Sequence, residues 1–204
     1  VIGPLVLGGA LIHESHAETL SQLGVKDSKQ LSRSRRNVLA PQIMAVAQES
    51  RLLAIPAGEL DGNLTKIELE GMAQLICDLK PTTVYLDAPV PPSGIPRYVS
   101  ALHSLVGDKT LEIIAENKAD EKYPIVSAAS ILAKVHRDQV IEQLKAEYGD
   151  FGWGYPSEPK TQQFLRSWYA AHGTFPDCVR HRWRTVQRLI HDHKAQSFFT
   201  GDDR

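Results

Sequence analysis

Two features of the sequence have the residue types and spacing to do chemistry. The first is Asp87, which closes the run Thr-Thr-Val-Tyr-Leu-Asp at residues 82–87. Val84, Tyr85 and Leu86 have the β-branched, aromatic and apolar character of a buried strand, and in open α/β sheets ligands collect at the carboxyl ends of strands. An Asp followed by Ala-Pro-Val-Pro-Pro also starts turns well, so position alone leaves a binding role and a turn role open. The second is KADEKYPIVSAASILAKVHRD, residues 118–138. Pro124 can begin a helix there, because the first helical residue needs no amide donor. Spacings of three and four set Ser127, Ser130, Lys134 and Asp138 along one stripe, while Ile125, Val126, Ile131, Leu132 and Val135 largely face elsewhere. A solvated stripe carrying a Lys134–Asp138 ion pair is the plain alternative. Lys ahead of the acid at i,i+4 is the weaker orientation, and such pairs contribute only about 0.3–0.5 kcal/mol. Helix stability therefore explains the arrangement poorly.

Two Asp side chains from different elements suit a hard cation such as Mg²⁺ or Mn²⁺, which prefers oxygen ligands. Two such ions about 3.5–4 Å apart can activate water and steady a leaving oxygen in phosphodiester cleavage. Two carboxylates rarely neutralise two divalent cations. Glu59, Asp61, Glu68, Glu70, Glu116 and Asp120 supply further acids, none in an equally suggestive context. The eight histidines form no HExxH and no pairing with cysteine, which argues against zinc. P-loop, GxGxxG and GxSxG patterns are absent.

For a substrate, Lys26, Ser28 and Lys29 in GVKDSKQLS offer charge and hydroxyl to a phosphate, or simply form a solvated basic loop. Trp153 and Tyr155 in FGWGYPSEPKT could stack on bases or sugars, or pack their loop down. Net charge is −1, so any polyanion surface must be local. From 160 to 194 the cations Lys160, Arg166, Arg180, Arg182, Arg184, Arg188 and Lys194 face only Asp177 and Asp192, which is the electrostatic footprint of such a surface.

The elements that must position these residues read as α/β. The 204 residues, 42% hydrophobic and 23% charged, suffice for one domain with an added lobe. Strands are expected at Val1–Ile12, Arg51–Ala57, Thr82–Asp87 and Thr110–Ala115. Helices are expected at Ala17–Leu23, from Ser32 as cap to Glu49, and at Leu64–Leu79, Ile95–Val106, Ile125–Tyr148, Thr161–His172 and Val179–Lys194, with QSFFTGDDR as a loose tail. The opening VIGPLVLGGALI lacks a basic n-region and an A-x-A-like cleavage site, and reads as a strand rather than a signal peptide. Cys77 and Cys178 have no CxxC or metal spacing, so a reducing cytoplasmic location is the expectation. No apolar run is long enough to suggest a membrane span.

KDSKQL, YLDAP, NKADEKYPIVSAASILAKVHRD and GYPSEPKT followed by FL resemble ribonuclease HII, in order and spacing across nearly the whole chain. The KADxxYPxVSAAS form and the VRHRWRTVQ ending are more similar to the single-chain archaeal branch. The resemblance implies a ribonuclease H-like fold. That is a mixed five-stranded sheet flanked by helices, with a catalytic core over residues 1–148 and a C-terminal helical substrate-binding segment over 149–204. It also implies Mg²⁺- or Mn²⁺-dependent endonucleolytic cleavage of the RNA strand of RNA–DNA hybrids. Nicking 5′ to single ribonucleotides in duplex DNA, leaving 3′-hydroxyl and 5′-phosphate ends, is implied as well. On this resemblance Asp87 and Asp138 match the third and fourth metal-binding acids. Tyr155 matches the residue at the RNA–DNA junction sugar, and Lys26, Ser28 and Lys29 match a loop near the substrate backbone. Ser127 and Lys134 join them as expected substrate contacts. A monomer is expected. The Phe198-Phe199 pair carries no clear sliding-clamp motif.

The chain departs from the family in one respect. The family's first strand carries a GIDEAGRG-type motif just ahead of a segment like VIGPLV, and no counterpart of it occurs here. That motif supplies the first two acids and the turn that reads the 2′-hydroxyl, and its strand lies at the sheet centre, between the strand begun by Val1 and the one ending at Asp87. Losing a central strand leaves backbone groups unpaired, and even a single large-to-small core change costs about 2–5 kcal/mol. The expectation is that the 204 residues alone fold poorly and cleave little. A non-catalytic hybrid-binding module is the alternative. A small-molecule enzyme using Asp87 alone would leave the basic C-terminal stretch unexplained.

Overall fold

The computed structural model describes residues 1–25 and 30–200, with backbone alone for residues 194–200. Among these, four strands alternate with helices: β1 (Leu5–Leu11), α1 (Ala17–Gln22), α2 (Arg33–Val46), β2 (Glu49–Ile55), α3 (Leu64–Leu79), β3 (Thr83–Asp87), α4 (Ile95–Val106), β4 (Glu112–Glu116), α5 (Ala119–Lys122), α6 (Pro124–Tyr148), α7 (Pro159–His172) and α8 (Arg184–Thr200). No helix among the described residues is long and apolar enough to cross a membrane.

The local signals act as physics expects. Ser32 caps α2 by accepting the Arg35 amide at 3.2 Å, and Asn63 caps α3 through the Lys66 amide at 3.2 Å. Gly107 and Gly173 end α4 and α7 in the left-handed region, where a Cβ would be strained. Pro124 opens α6 as its first residue. Several expectations need correction. Helix α2 ends at Val46 rather than Glu49, and β2 spans Glu49–Ile55 rather than Arg51–Ala57. The opening strand spans only Leu5–Leu11, because Ile2 forms an isolated antiparallel bridge with Val179 instead. The last helix starts at Arg184 rather than Val179 and runs through Thr200, so residues 196–200 are helical and not a loose tail.

The chain divides into two compact units. One comprises residues 6–54 and 63–136, the other residues 1–5, 55–62 and 137–204. In the first, β3 and β4 pair in parallel with Asp87 opposite Glu116, and β1 pairs with β2. The strands thus form two pairs rather than one continuous sheet. A cleft of about 340 Å³ is lined by every residue of Val6–Leu11 and of Thr83–Asp87. Lining by consecutive residues, not alternate ones, means that strand edges face it. Gly8 is where β1 crosses α6: a Cβ there would lie 2.5 Å from the Ala129 carbonyl oxygen. Leu20, Leu39, Ile43, Ile131 and Leu132 pack between α1, α2 and α6, while Ile76, Leu86, Tyr98 and Leu102 form a second core between α3, α4 and β3.

The other unit has its own core of Ile2, Ile141, Phe151, Leu165, Val179 and Val186. Its loop at 151–155 is fixed by hydrogen bonds. The Gly154 amide donates to Thr161 Oγ1 at 3.1 Å, Thr161 Oγ1 donates to the Phe151 carbonyl at 2.8 Å, and Glu158 Oε2 accepts the Trp153 amide at 2.7 Å. Gly154, at φ +77°, brings the loop against the Ile2 carbonyl, where a Cβ would sit 2.7 Å away.

Candidate active site

Asp87 stands where strand polarity predicted, at the carboxyl end of β3. Its Oδ1 accepts two successive backbone amides, from Lys118 at 2.7 Å and Ala119 at 3.4 Å. The chain can present both because Lys118 adopts a left-handed conformation, φ 58° and ψ 37°, which a residue with a Cβ seldom takes. Asn117 fastens the facing loop through Nδ2, which donates to the Ala88 and Val90 carbonyls at 2.9 and 2.8 Å. Strain of this kind concentrates at functional sites.

The residue immediately after these amides is Asp120, a carboxylate only 3% exposed. In the sequence it is one of six further acids without a suggestive context, because ADEK has no helical periodicity or motif of its own. The signal that could have found it is its place directly after an Asn-Lys-Ala turn. Glu116, opposite Asp87 in the ladder, is engaged otherwise. Lys122 Nζ donates to both its oxygens at 2.7 and 3.0 Å and Tyr123 Oη donates to it at 2.7 Å. The Lys122 and Tyr123 bonds hold the Glu116 carboxyl below the usual carboxylate range. Among the described residues no group of three or more His, Cys, Asp or Glu is arranged to hold a metal.

The remaining predicted residues are distributed as follows. Ser127 is fully buried in α6 and its hydroxyl has no hydrogen-bond partner. Lys134 Nζ donates to Ser130 Oγ at 3.0 Å. Asp138 belongs to the second unit, with Oδ1 3.7 Å from Arg137 Nη1. Tyr155, also in that unit, is 45% exposed at the tip of the pinned loop. Lys26, Ser28 and Lys29 lie outside the described residues. Both described cysteines are free thiols, and burial pushes the Cys178 thiol up to about 12, leaving it protonated and unreactive.

The basic stretch separates into cations tied to carboxylates or backbone carbonyls and cations that line a groove, where Arg166 Nη2 donates to Gln162 Oε1 at 2.9 Å. Lys160 pairs with Asp150, and Arg182 lies 3.9 Å from Asp61. Arg180 is buried, donating to the Gly3 and Pro4 carbonyls at 3.1 and 2.9 Å. Arg166, Arg184 and Arg188 instead line one groove of about 620 Å³ between α7 and α8, with His193 and the single carboxylate Asp192.

Comparison with known proteins identifies a family. Residues 1–186 match the profile of the family described as Ribonuclease HII. A ribonuclease HII from Pyrococcus furiosus is 43% identical over 200 residues, covering 96% of this chain and 88% of its own length. The crystal structure of a ribonuclease H2 from Pyrococcus horikoshii superposes with a TM-score of 0.85 at 40% identity, over 95% of this chain and 93% of that one. The enzyme in a PCNA:RNase HII complex from Archaeoglobus fulgidus gives 0.82 at 44% identity, over 93% and 90%.

Proposed function

Since the chain belongs to the ribonuclease HII family, we propose that it uses divalent cations held at the Asp87 turn to hydrolyse the RNA strand of RNA–DNA hybrids and to nick 5′ to single ribonucleotides in duplex DNA. Ribonuclease H activity, an endonucleolytic hydrolysis, is what the family assignment itself carries. The metal and the single-ribonucleotide substrate belong to the proposal.

The observation that carries it is the seating of Asp87 Oδ1 on the Lys118 and Ala119 amides, which Asp120 directly follows in the chain. Two amides on Oδ1 orient the Asp87 side chain, while no hydrogen bond to its Oδ2 is found among the described residues. A second carboxylate follows in the same turn. Hard oxygen donors of this kind suit Mg²⁺ or Mn²⁺. Asp87 and Asp120 would hold such an ion; Asp138, the acid paired with Asp87 in the sequence reading, lies 3.7 Å from Arg137 Nη1. When bound, the cation supplies charge stabilisation at the phosphate and an activated water. The contribution of this chain is to fix one carboxylate by backbone amides and to keep the neighbouring Glu116 occupied by Lys122.

Substrate would be gripped by Tyr155 and by the Arg166, Arg184 and Arg188 groove. A partner of clamp type is not part of this reading, since the side chains of Phe198 and Phe199 lie beyond those described.

The test is cleavage of a duplex bearing one ribonucleotide, with Mg²⁺ or Mn²⁺, by the full-length protein. Asp87→Asn and Asp120→Asn are each expected to lower kcat at least about 100-fold, the scale of losing a group that stabilises transition-state charge. Full activity in Asp120→Asn with loss in Asp138→Asn would restore the pairing read from the sequence. Hybrid binding without cleavage under any metal would favour the non-catalytic binding module.

A further inference from the structure

We propose that Arg137 is the positioning residue for Tyr155, holding its ring as a fixed platform for a nucleotide sugar or base; this rests on the reading of Tyr155 as a substrate contact. The Arg137 guanidinium carbon stands 4.5 Å from the centroid of the Tyr155 ring. The same guanidinium donates from Nη2 to the Trp153 carbonyl at 2.8 Å and to the Ile2 carbonyl at 3.5 Å. Its Nη1 makes no hydrogen bond and is 3.7 Å from Asp138 Oδ1. Arg137 therefore stacks against the ring while anchoring the backbone two residues before it.

These contacts demand arginine. A planar guanidinium can stack on an aromatic face and donate along its edge at once, whereas an ammonium is a compact point charge. Arg137 is embedded, with a side chain 14% exposed, while Tyr155 remains 45% exposed. The cation is fixed by protein and the ring keeps area for a ligand. A second cation of α6 repeats the device, since Lys145 Nζ sits 3.7 Å from the Trp153 ring centroid. The helix thus braces two of the loop's aromatic residues, Trp153 and Tyr155. Holding a stacking ring in place before substrate arrives removes the cost of ordering it on binding.

The experiment compares Arg137→Lys, Tyr155→Ala and the double variant in the full-length protein. Without substrate, the Tyr155 ring proton signals in NMR should shift in Arg137→Lys. On a duplex with one ribonucleotide, Arg137→Lys should lose about 3- to 30-fold in kcat/KM, the scale of a desolvated cation–π contact. The loss is expected mainly in KM. In the Tyr155→Ala background the same change should have no further effect, as coupled residues are non-additive. Additive losses, or unchanged ring signals, would overturn the proposal. If the ring signals shift while Tyr155→Ala cleaves with normal efficiency, the substrate role of Tyr155 is what fails, and the positioning role in the reaction falls with it.

Discussion

The Asp87 carboxylate accepts the backbone amide of Lys118 at 2.7 Å, across 31 residues of intervening chain. That bond exists because Lys118 is left-handed, at φ 58°. The left-handed region is unfavourable for residues bearing a Cβ and open to glycine. Lys118→Gly should therefore melt at or above the temperature of the parent, gaining up to about 1 kcal/mol from relief of the conformation. The change gives up the Glu121 ion pair, but both partners are exposed and little is lost. Lys118→Val should melt lower by about 1–3 kcal/mol, the usual cost of local backbone strain. Thermal denaturation of the two variants side by side decides it.

Asn117 closes the other side of the turn. Its amide nitrogen serves two carbonyls, those of Ala88 and Val90. Asn117→Ala leaves both oxygens without that donor and should cost about 1–3 kcal/mol. Because the loop after Asp87 is what loosens, amide hydrogen exchange should speed up at Ala88 and Val90 more than in α7. Uniform acceleration through both units would contradict a local role.

What the sequence disclosed, and what it concealed, follows from the range of the interactions involved. The bounds of α3 and α4 were predicted as observed, because apolar spacing, Asn63 and Gly107 are local signals. The start of α8 was not. Residues 179–183 are drawn off by pairing 177 or more positions away: Val179 bridges Ile2, and Arg180 reaches the Gly3 carbonyl. No window-based periodicity registers such competition. The site shows the same split. Asp87 was legible as a strand end, whereas Asp120 becomes significant only once the Lys118 and Ala119 amides fold onto Asp87. Of the helical stripe that suggested Asp138, Ser127 is buried completely.

Glu116 supplies a pH dependence with a definite sign. The Lys122 bond, and secondarily the Tyr123 bond, depress its carboxyl in the folded protein. A depressed folded pKa stabilises above the unfolded value, about 4.3 for Glu, and that contribution is lost as pH falls through the folded value. A plot of melting temperature against pH should thus fall below about pH 4. Glu116→Gln should flatten that fall and lower the melting temperature at neutral pH. A variant curve parallel to the parent throughout would show that the Glu116–Lys122 pair contributes no linkage.

The groove between α7 and α8 gives a measurement of charge. Arg166, Arg184 and Arg188 all line it, and Asp192 is the single carboxylate there. If each guanidinium neutralises a phosphate of a bound duplex, each displaces counterions, and the logarithm of affinity falls against the logarithm of salt with a slope of about −0.9 per contact. Replacing all three with alanine should make that slope shallower by about 2–3. The effect should appear equally on duplexes with and without a ribonucleotide, because phosphate contacts position the strand without reading it. Lys160→Ala is the internal control: its ammonium is already paired with Asp150, so it should change the slope far less than any one of the three arginines. Equal slopes for the triple variant and the parent would remove the groove from the binding surface.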